Sequence, residues 1–108
     1  MHLQISEAAI ERLKPHMGNQ SDHAFHLIYD TEGCGCAVNG VPTLKWMPNN
    51  HDIHKKYISI SEHPIPVRIT ENDAVFFEEK LYLDFTASNF CYRLSGPGQI
   101  YHGCMNVK

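Results

Sequence analysis

The sequence predicts a mainly β domain, a mixed β-sandwich or partly closed barrel of about seven short strands with one N-terminal α-helix. Three observations predict it. Short runs of β-branched and aromatic residues recur at near-regular spacing from His23 to Leu94. Turn-forming groups punctuate them, among them Asn39-Gly40, Pro48-Asn49-Asn50 and Ser95-Gly96-Pro97-Gly98. Helical spacing of apolar residues is confined to the front of the chain. No internal repeat, low-complexity tract or linker divides residues 1–108, so one domain is expected.

The elements follow in order. Ser6 is placed to cap a helix running to Lys14, with Glu7 at its positive end and Ile10, Leu13 and Met17 on one face. Pro15 and Gly18-Asn19 end it. His23 to Asp30 alternates as a strand, with Phe25, Leu27 and Tyr29 sharing a face. Val41 to Met47 is a second strand, whose Pro42 implies an edge or the strand's first residues. Strands are also expected at Lys55–Ser61, Val67–Thr70, Leu81–Phe85 and Phe90–Leu94, with one helical turn between Glu71 and Phe77. His63-Pro64-Ile65-Pro66 is a stiff extended link, and the residues after Gly98 read as a flexible tail.

Composition narrows the function. The 108 residues carry 12 acidic and 9 basic side chains, a net charge of −3, which argues against nucleic acid as a partner. No apolar run approaches the roughly 20 residues that span a bilayer, and Met1 to Glu7 lacks the basic start and apolar core of a signal peptide. A cytoplasmic protein with no membrane association is therefore expected, in a compartment that keeps thiols reduced. Its four cysteines then read as ligands, reactive thiols or core residues rather than as a disulfide framework.

Asp30-Thr31-Glu32-Gly33-Cys34-Gly35-Cys36 is the stretch that carries chemistry. Glycines before and between the two cysteines leave the sulfurs uncovered in a loop. Cys104, in Tyr101-His102-Gly103-Cys104-Met105, is a third sulfur, expected to meet the first two on folding. Soft thiolates suit zinc, copper(I) and iron–sulfur clusters. The paired C-x₂₋₄-C spacing of closed zinc sites is absent, which disfavours structural zinc. A cluster completed by a second chain, by His102 or by Met105 fits three sulfurs better; the plainer alternative is that Cys34 and Cys36 only occupy a tight turn. Cys91, flanked by Phe90 and Tyr92 in a strand, alternates away from them and is left outside the site. His51-Asp52-Ile53-His54 reads as a solvated loop, and no serine nucleophile elbow, phosphate loop or dinucleotide fingerprint is present.

Across nearly its whole length the chain resembles the HesB-like domain of iron–sulfur cluster biosynthesis proteins, the A-type carriers. Ile5-Ser6-Glu7-Ala8-Ala9 resembles the family's start before its first helix, and Thr31-Glu32-Gly33-Cys34-Gly35 its turn with the first cluster cysteine. Tyr82-Leu83-Asp84-Phe85 resembles the strand before its last hairpin. Ser95-Gly96-Pro97-Gly98 resembles the Asn-Pro-Asn turn that precedes its C-terminal cysteine pair. The departure is at the end: Gly103-Cys104-Met105 stands where the family has Cys-Gly-Cys, and Cys36 is an additional sulfur on the other arm. The chain thus looks like a divergent branch.

The resemblance implies a HesB-like domain over residues 1–108 and self-association as a homodimer or larger homo-oligomer. It implies iron or a [2Fe-2S] cluster held by Cys34, Cys36 and Cys104, with His102 as a further candidate. It implies transfer to apo iron–sulfur proteins or exchange with assembly scaffolds. No substrate bond need change, so no enzyme is expected. Two other functions share the residues: a metal-free interaction module that retains the fold, and a thiol redox sensor in which Cys34 or Cys36 pairs with Cys104 as resolving thiol.

Overall fold

The computed structural model describes residues 1–30 and 41–107, apart from the side chain of Asp30. The expected Cys34/Cys36 loop and the Asn39-Gly40 turn lie outside the described residues. In chain order the elements are β1 (His2–Ile5), α1 (Glu7–Leu13), β2 (His23–Asp30), β3 (Val41–Pro48), β4 (Tyr57–Ser61) and β5 (Val67–Thr70). Then come α2 (Glu71–Ala74), β6 (Lys80–Thr86), β7 (Cys91–Ser95) and β8 (Ile100–Val107). The strands form one mixed sheet in the order β1-β6-β7-β8-β3-β2-β5-β4. Its edge strands β1 and β4 lie against each other, so the sheet curls into a nearly closed barrel and the mainly β reading holds.

The alternation read in the sequence decides which side chains fill that barrel. Phe25 and Leu27 from β2, Val67 and Ile69 from β5, Leu81 and Leu83 from β6, and Tyr92 and Leu94 from β7 all point inward. Leu44 joins them from β3 and Met105 from β8. Each fully buried side chain of this size contributes about 1.5–3 kcal/mol by leaving water. The helix closes the barrel with Ala9 and Leu13. Ser6 caps it as expected: its Oγ accepts from the Ala9 amide at 3.2 Å and donates to Asp84 Oδ1 at 2.7 Å. That single hydroxyl therefore ties the start of α1 to β6, and with the Phe85 amide it holds the Asp84 carboxyl below the usual carboxylate range. Beyond Leu13 the chain tightens into a 3₁₀ turn, Lys14–His16, with Pro15 near its start.

Two expectations are corrected and one element is new. The first residues form a strand, β1, whose parallel partner β6 lies far along the chain and so leaves no local signal. Pro42 does not mark an edge, because β3 is interior, between β8 and β2. It sits ahead of Thr43↔Asn106, the first β3–β8 pair, where its missing N–H costs no ladder bond. The expected flexible tail is β8, a strand of 8 residues paired with β7 on one side and β3 on the other. That makes eight strands among the described residues rather than about seven.

Candidate functional site

The β7–β8 hairpin is built from its turn outward. Ser95-Gly96-Pro97-Gly98 wraps the carboxylate of Glu78, whose Oε1 accepts from the Gly98 amide and whose Oε2 accepts from the Tyr101 hydroxyl, both at 2.9 Å. The Tyr101 oxygen in turn accepts from the Glu78 amide at 2.9 Å. Glycine suits the first position by approach, not by backbone angle: a Cβ on Gly96 would stand 2.1 Å from Glu78 Oε2, so that carboxylate would have to shift. The Tyr101 ring packs on Phe77, and its partial burial holds the phenol above its ordinary range. These contacts fix where β8 begins.

From that turn, β8 runs back with two shifts in its pairing to β7. Tyr92 pairs with Met105, Leu94 with His102 and Ser95 with Ile100, so β8 carries one extra residue at Gly103-Cys104, opposite Arg93, and another at Tyr101. Tyr92 and Met105 face the core, which turns their neighbours Cys91 and Cys104 outward. Cys104 is exposed and Cys91 half-buried. The two are joined by a disulfide, with their Cα atoms 4.6 Å apart. The reading of Cys91 as a residue apart from the site is therefore corrected. Its alternation was right, but the strand carrying Cys104 lies directly beside it. The expectation of no disulfide falls with it.

His102 stands beside Cys104 and serves its backbone. The Cys104 amide donates to His102 Nδ1 at 2.9 Å, so that lone pair is occupied and the ring proton belongs on Nε2. In this arrangement the imidazole orients the Cys104 segment rather than offering a free nitrogen to a metal.

The parallel pairing of β8 with β3 decides what Cys104 faces. Asn106 is level with Thr43 and Val107 with Leu44. The same register, carried back along both strands, sets position 104 level with position 41, the first residue after the 31–40 segment. On the other arm of that hairpin, Asp30 pairs with Val41 and Tyr29 with Pro42. Cys104 thus stands two positions before the first β3–β8 pair, as Val41 does on β3. Among the described residues no group of three or more His, Cys, Asp or Glu side chains converges on a common point. What the described chain contributes is one adjacent cysteine pair.

An aromatic row borders the same region. Tyr29 stacks on Phe76 at 4.2 Å between ring centres, Phe77 meets Tyr29 edge-on, and Tyr101 follows. Asp73 Oδ2 accepts the Tyr29 amide at 3.2 Å and anchors the α2 segment to the end of β2. Val75, Phe76 and Val41 remain exposed, an apolar fringe that the sequence reading did not single out. Other polar groups have structural roles. His26 is 2% exposed, its Nε2 has no hydrogen-bond partner among the described residues, and Tyr57 packs edge-on against its ring. Burial, with further repulsion from His51 and Arg68, holds its imidazole below the ordinary range.

With this geometry in hand, comparison with known proteins is specific. A family model described as iron–sulphur cluster biosynthesis matches residues 1–108. The uncharacterized protein YqkB of Bacillus subtilis (strain 168) is 27% identical over 107 residues, covering 99% of this chain and 97% of that protein. A proposed Fe-S biosynthesis protein from Lactobacillus acidophilus superposes with a TM-score of 0.72 at 17% identity, over 99% of this chain and 88% of the other. A second, from Lactobacillus salivarius, gives 0.75 at 12% identity over 100% and 97%. At such identities the two structures speak for the fold.

Proposed function

The chain belongs to the iron–sulphur cluster biosynthesis family, and from that premise we propose that it takes up iron or a [2Fe-2S] cluster as cargo and passes it to apo-proteins. Cys34, Cys36 and Cys104 are its candidate ligands. The observation that supports this reading is the β3–β8 pairing: both the exposed Cys104 and Val41, the first residue after the 31–40 segment, stand two positions before the Thr43↔Asn106 pair. Ligand exchange needs sulfurs that a recipient can reach, and an exposed cysteine on a strand face meets that need. His102 holds the Cys104 amide in place. The exposed Val41, Val75 and Phe76 give a recipient or a second copy an apolar fringe to rest on. Three sulfurs fall short of the four-thiolate shell of simple clusters, so loading draws in a fourth ligand, from a second chain or from elsewhere in this one.

Anaerobic reconstitution with ferrous iron and sulfide tests this, with iron counted per chain and mass followed by sedimentation. Cys34→Ser and Cys104→Ser each lose most of the iron; a loaded dimer shows that the fourth ligand comes from a second chain, a loaded monomer that this chain supplies it. Cys36→Ser is the informative variant, since a strong loss marks Cys36 as a ligand. Equal iron in the parent and all these variants sinks the proposal. The Cys91–Cys104 disulfide supports a second reading, a thiol redox sensor. A parent that takes up no metal when fully reduced, yet cycles this bond with oxidant and reductant, decides in its favour.

A further inference from the structure

We infer that Cys91 is itself a cargo ligand: with Cys104 it forms a cross-strand thiolate pair that binds metal as a dithiol and is closed to it as a disulfide. This rests on the cargo reading above and adds to it a residue and a control. The sequence motif leaves Cys104 alone at the C-terminal end, because Met105 follows it where a second thiol would be needed. The sheet supplies that second thiol from the neighbouring strand. Tyr92↔Met105 pairing and the extra residue at Gly103-Cys104 bring positions 91 and 104 together on the outer face. Their Cα atoms are 4.6 Å apart. Two sulfurs each about 2.3 Å from one tetrahedral ion stand about 3.8 Å from each other. Side chains close enough to bond need only a small rotation about their Cα–Cβ bonds to open to that spacing.

The two states differ by two electrons. Reduction by a cellular thiol proceeds by exchange: one external thiolate attacks a sulfur of the pair, and a second releases it. The products are two protein thiols and one external disulfide. Metal binding then displaces both thiol protons. The Asn89 carbonyl lies 3.3 Å from Cys91 Sγ, positioned to accept the thiol proton in the reduced, metal-free pair. The reverse exchange with a low-molecular-weight disulfide removes both ligands at once, since a bonded sulfur carries no thiolate charge.

The probe is Co²⁺ alone, added to the full chain reduced with a phosphine, which leaves no competing thiol. Thiolate-to-cobalt charge-transfer absorption scales with the number of sulfurs bound. The reduced parent shows the band. Cys91→Ser loses about one sulfur's share of it and binds on the order of tenfold more weakly. Parent oxidised with glutathione disulfide shows a markedly weaker band. Alkylation of the reduced parent followed by mass analysis needs no variant: cobalt protects Cys91 and Cys104 together. A Cys91→Ser spectrum and affinity equal to the parent's, or Cys91 alkylated at its metal-free rate, overturns Cys91 as a ligand while leaving the cargo reading intact. Equal bands before and after oxidation overturn the control. A reduced parent with no band at all removes the cargo reading and this inference with it.

Discussion

The two ends of the β7–β8 hairpin are held by different physics. At the turn, Glu78 accepts from Gly98 and Tyr101 and gives its own amide to the Tyr101 oxygen, and a Cβ at Gly96 would displace that carboxylate. At the open end, Cys91 and Cys104 face solvent beside a shift in strand pairing, and a Cβ at Gly103 would meet nothing within 4 Å. One end is crowded and fully bonded; the other is roomy and rests on one covalent link. The difference teaches how a strand can present outward-facing sulfurs without losing its place. Register is set at the turn, and the open end keeps room around the cysteine pair.

The largest expected effect is at the open end. The disulfide closes a loop with a sequence separation of 13, and cross-links of that size restrict the unfolded chain by about 3 kcal/mol in the chain-entropy view. Urea unfolding with and without phosphine should show a loss approaching that figure, with Cys91→Ser insensitive to the reductant. If reduction leaves the parent's midpoint unmoved, the open end is held by its strand pairing alone and the contrast collapses.

At the turn the cost is expected to be smaller, because no covalent link is lost. Glu78→Ala removes two acceptor bonds to a charged group that is only half-buried, so about 1–3 kcal/mol should go. Gly96→Ala should lose a similar or smaller amount. Its new methyl displaces the end of a flexible side chain, but that carboxylate cannot move without giving up Gly98 and Tyr101. Amide exchange checks the mechanism: β8 residues near Tyr101 should lose protection in Glu78→Ala before those of β2. A variant whose midpoint and β8 protection match the parent's would show that the turn does not set the register.

Much of this contrast was hidden in the sequence. The strand Val67–Thr70 and the Ser6-capped helix were legible because each carries its own signal, an apolar alternation or a cap followed by helical spacing. β8 was not. Gly103 presents no side chain, and two shifts in pairing break its alternation, so Met105 alone is fully buried and the segment reads as a tail. The partnership of Cys91 with Cys104 depends on that strand, and so could not be seen without it. Cys104 stood out in the sequence by its glycine neighbour, but its partner did not. The role of Glu78 was not, since a carboxylate that wraps a turn 20 residues away leaves no local mark.

Acid offers a test that should bypass the hairpin. His26 lies in β2, paired across the strands with Lys45 and Arg68, so a proton on its buried ring would set a third positive charge between two others. Its folded pKa is depressed below the ordinary 6.5, so the unfolded chain binds the proton more readily. Stability from this group is therefore present above that value and lost as pH falls through the folded pKa, by at most about 1.4 kcal/mol per pH unit. Thermal melts from pH 7 downward should show that slope in the parent and lose it in His26→Phe, with β7 and β8 exchange little changed. The same slope in both proteins would place the acid sensitivity elsewhere.

The smallest effect is expected at Gly103, and it bears most directly on the comparison. A glycine beside a cysteine invites the reading that flexibility is what the site needs. Neither space nor backbone angle requires it here, since a Cβ meets nothing within 4 Å and no left-handed torsion is recorded at this position. Alanine restricts the unfolded chain more than glycine does, and where the folded backbone accepts it the gain is about 0.4–1 kcal/mol. Gly103→Ala should therefore leave the urea midpoint unchanged or raise it by a few tenths of a kcal/mol, the opposite sign to Gly96→Ala in the same hairpin. The pair of variants is the cleanest form of the contrast, because both add one methyl group to one turn or strand and differ only in what that methyl meets. If Gly103→Ala is as destabilising as Gly96→Ala, the open end is as tightly specified as the turn, and the freedom assigned to the cysteine pair is not there.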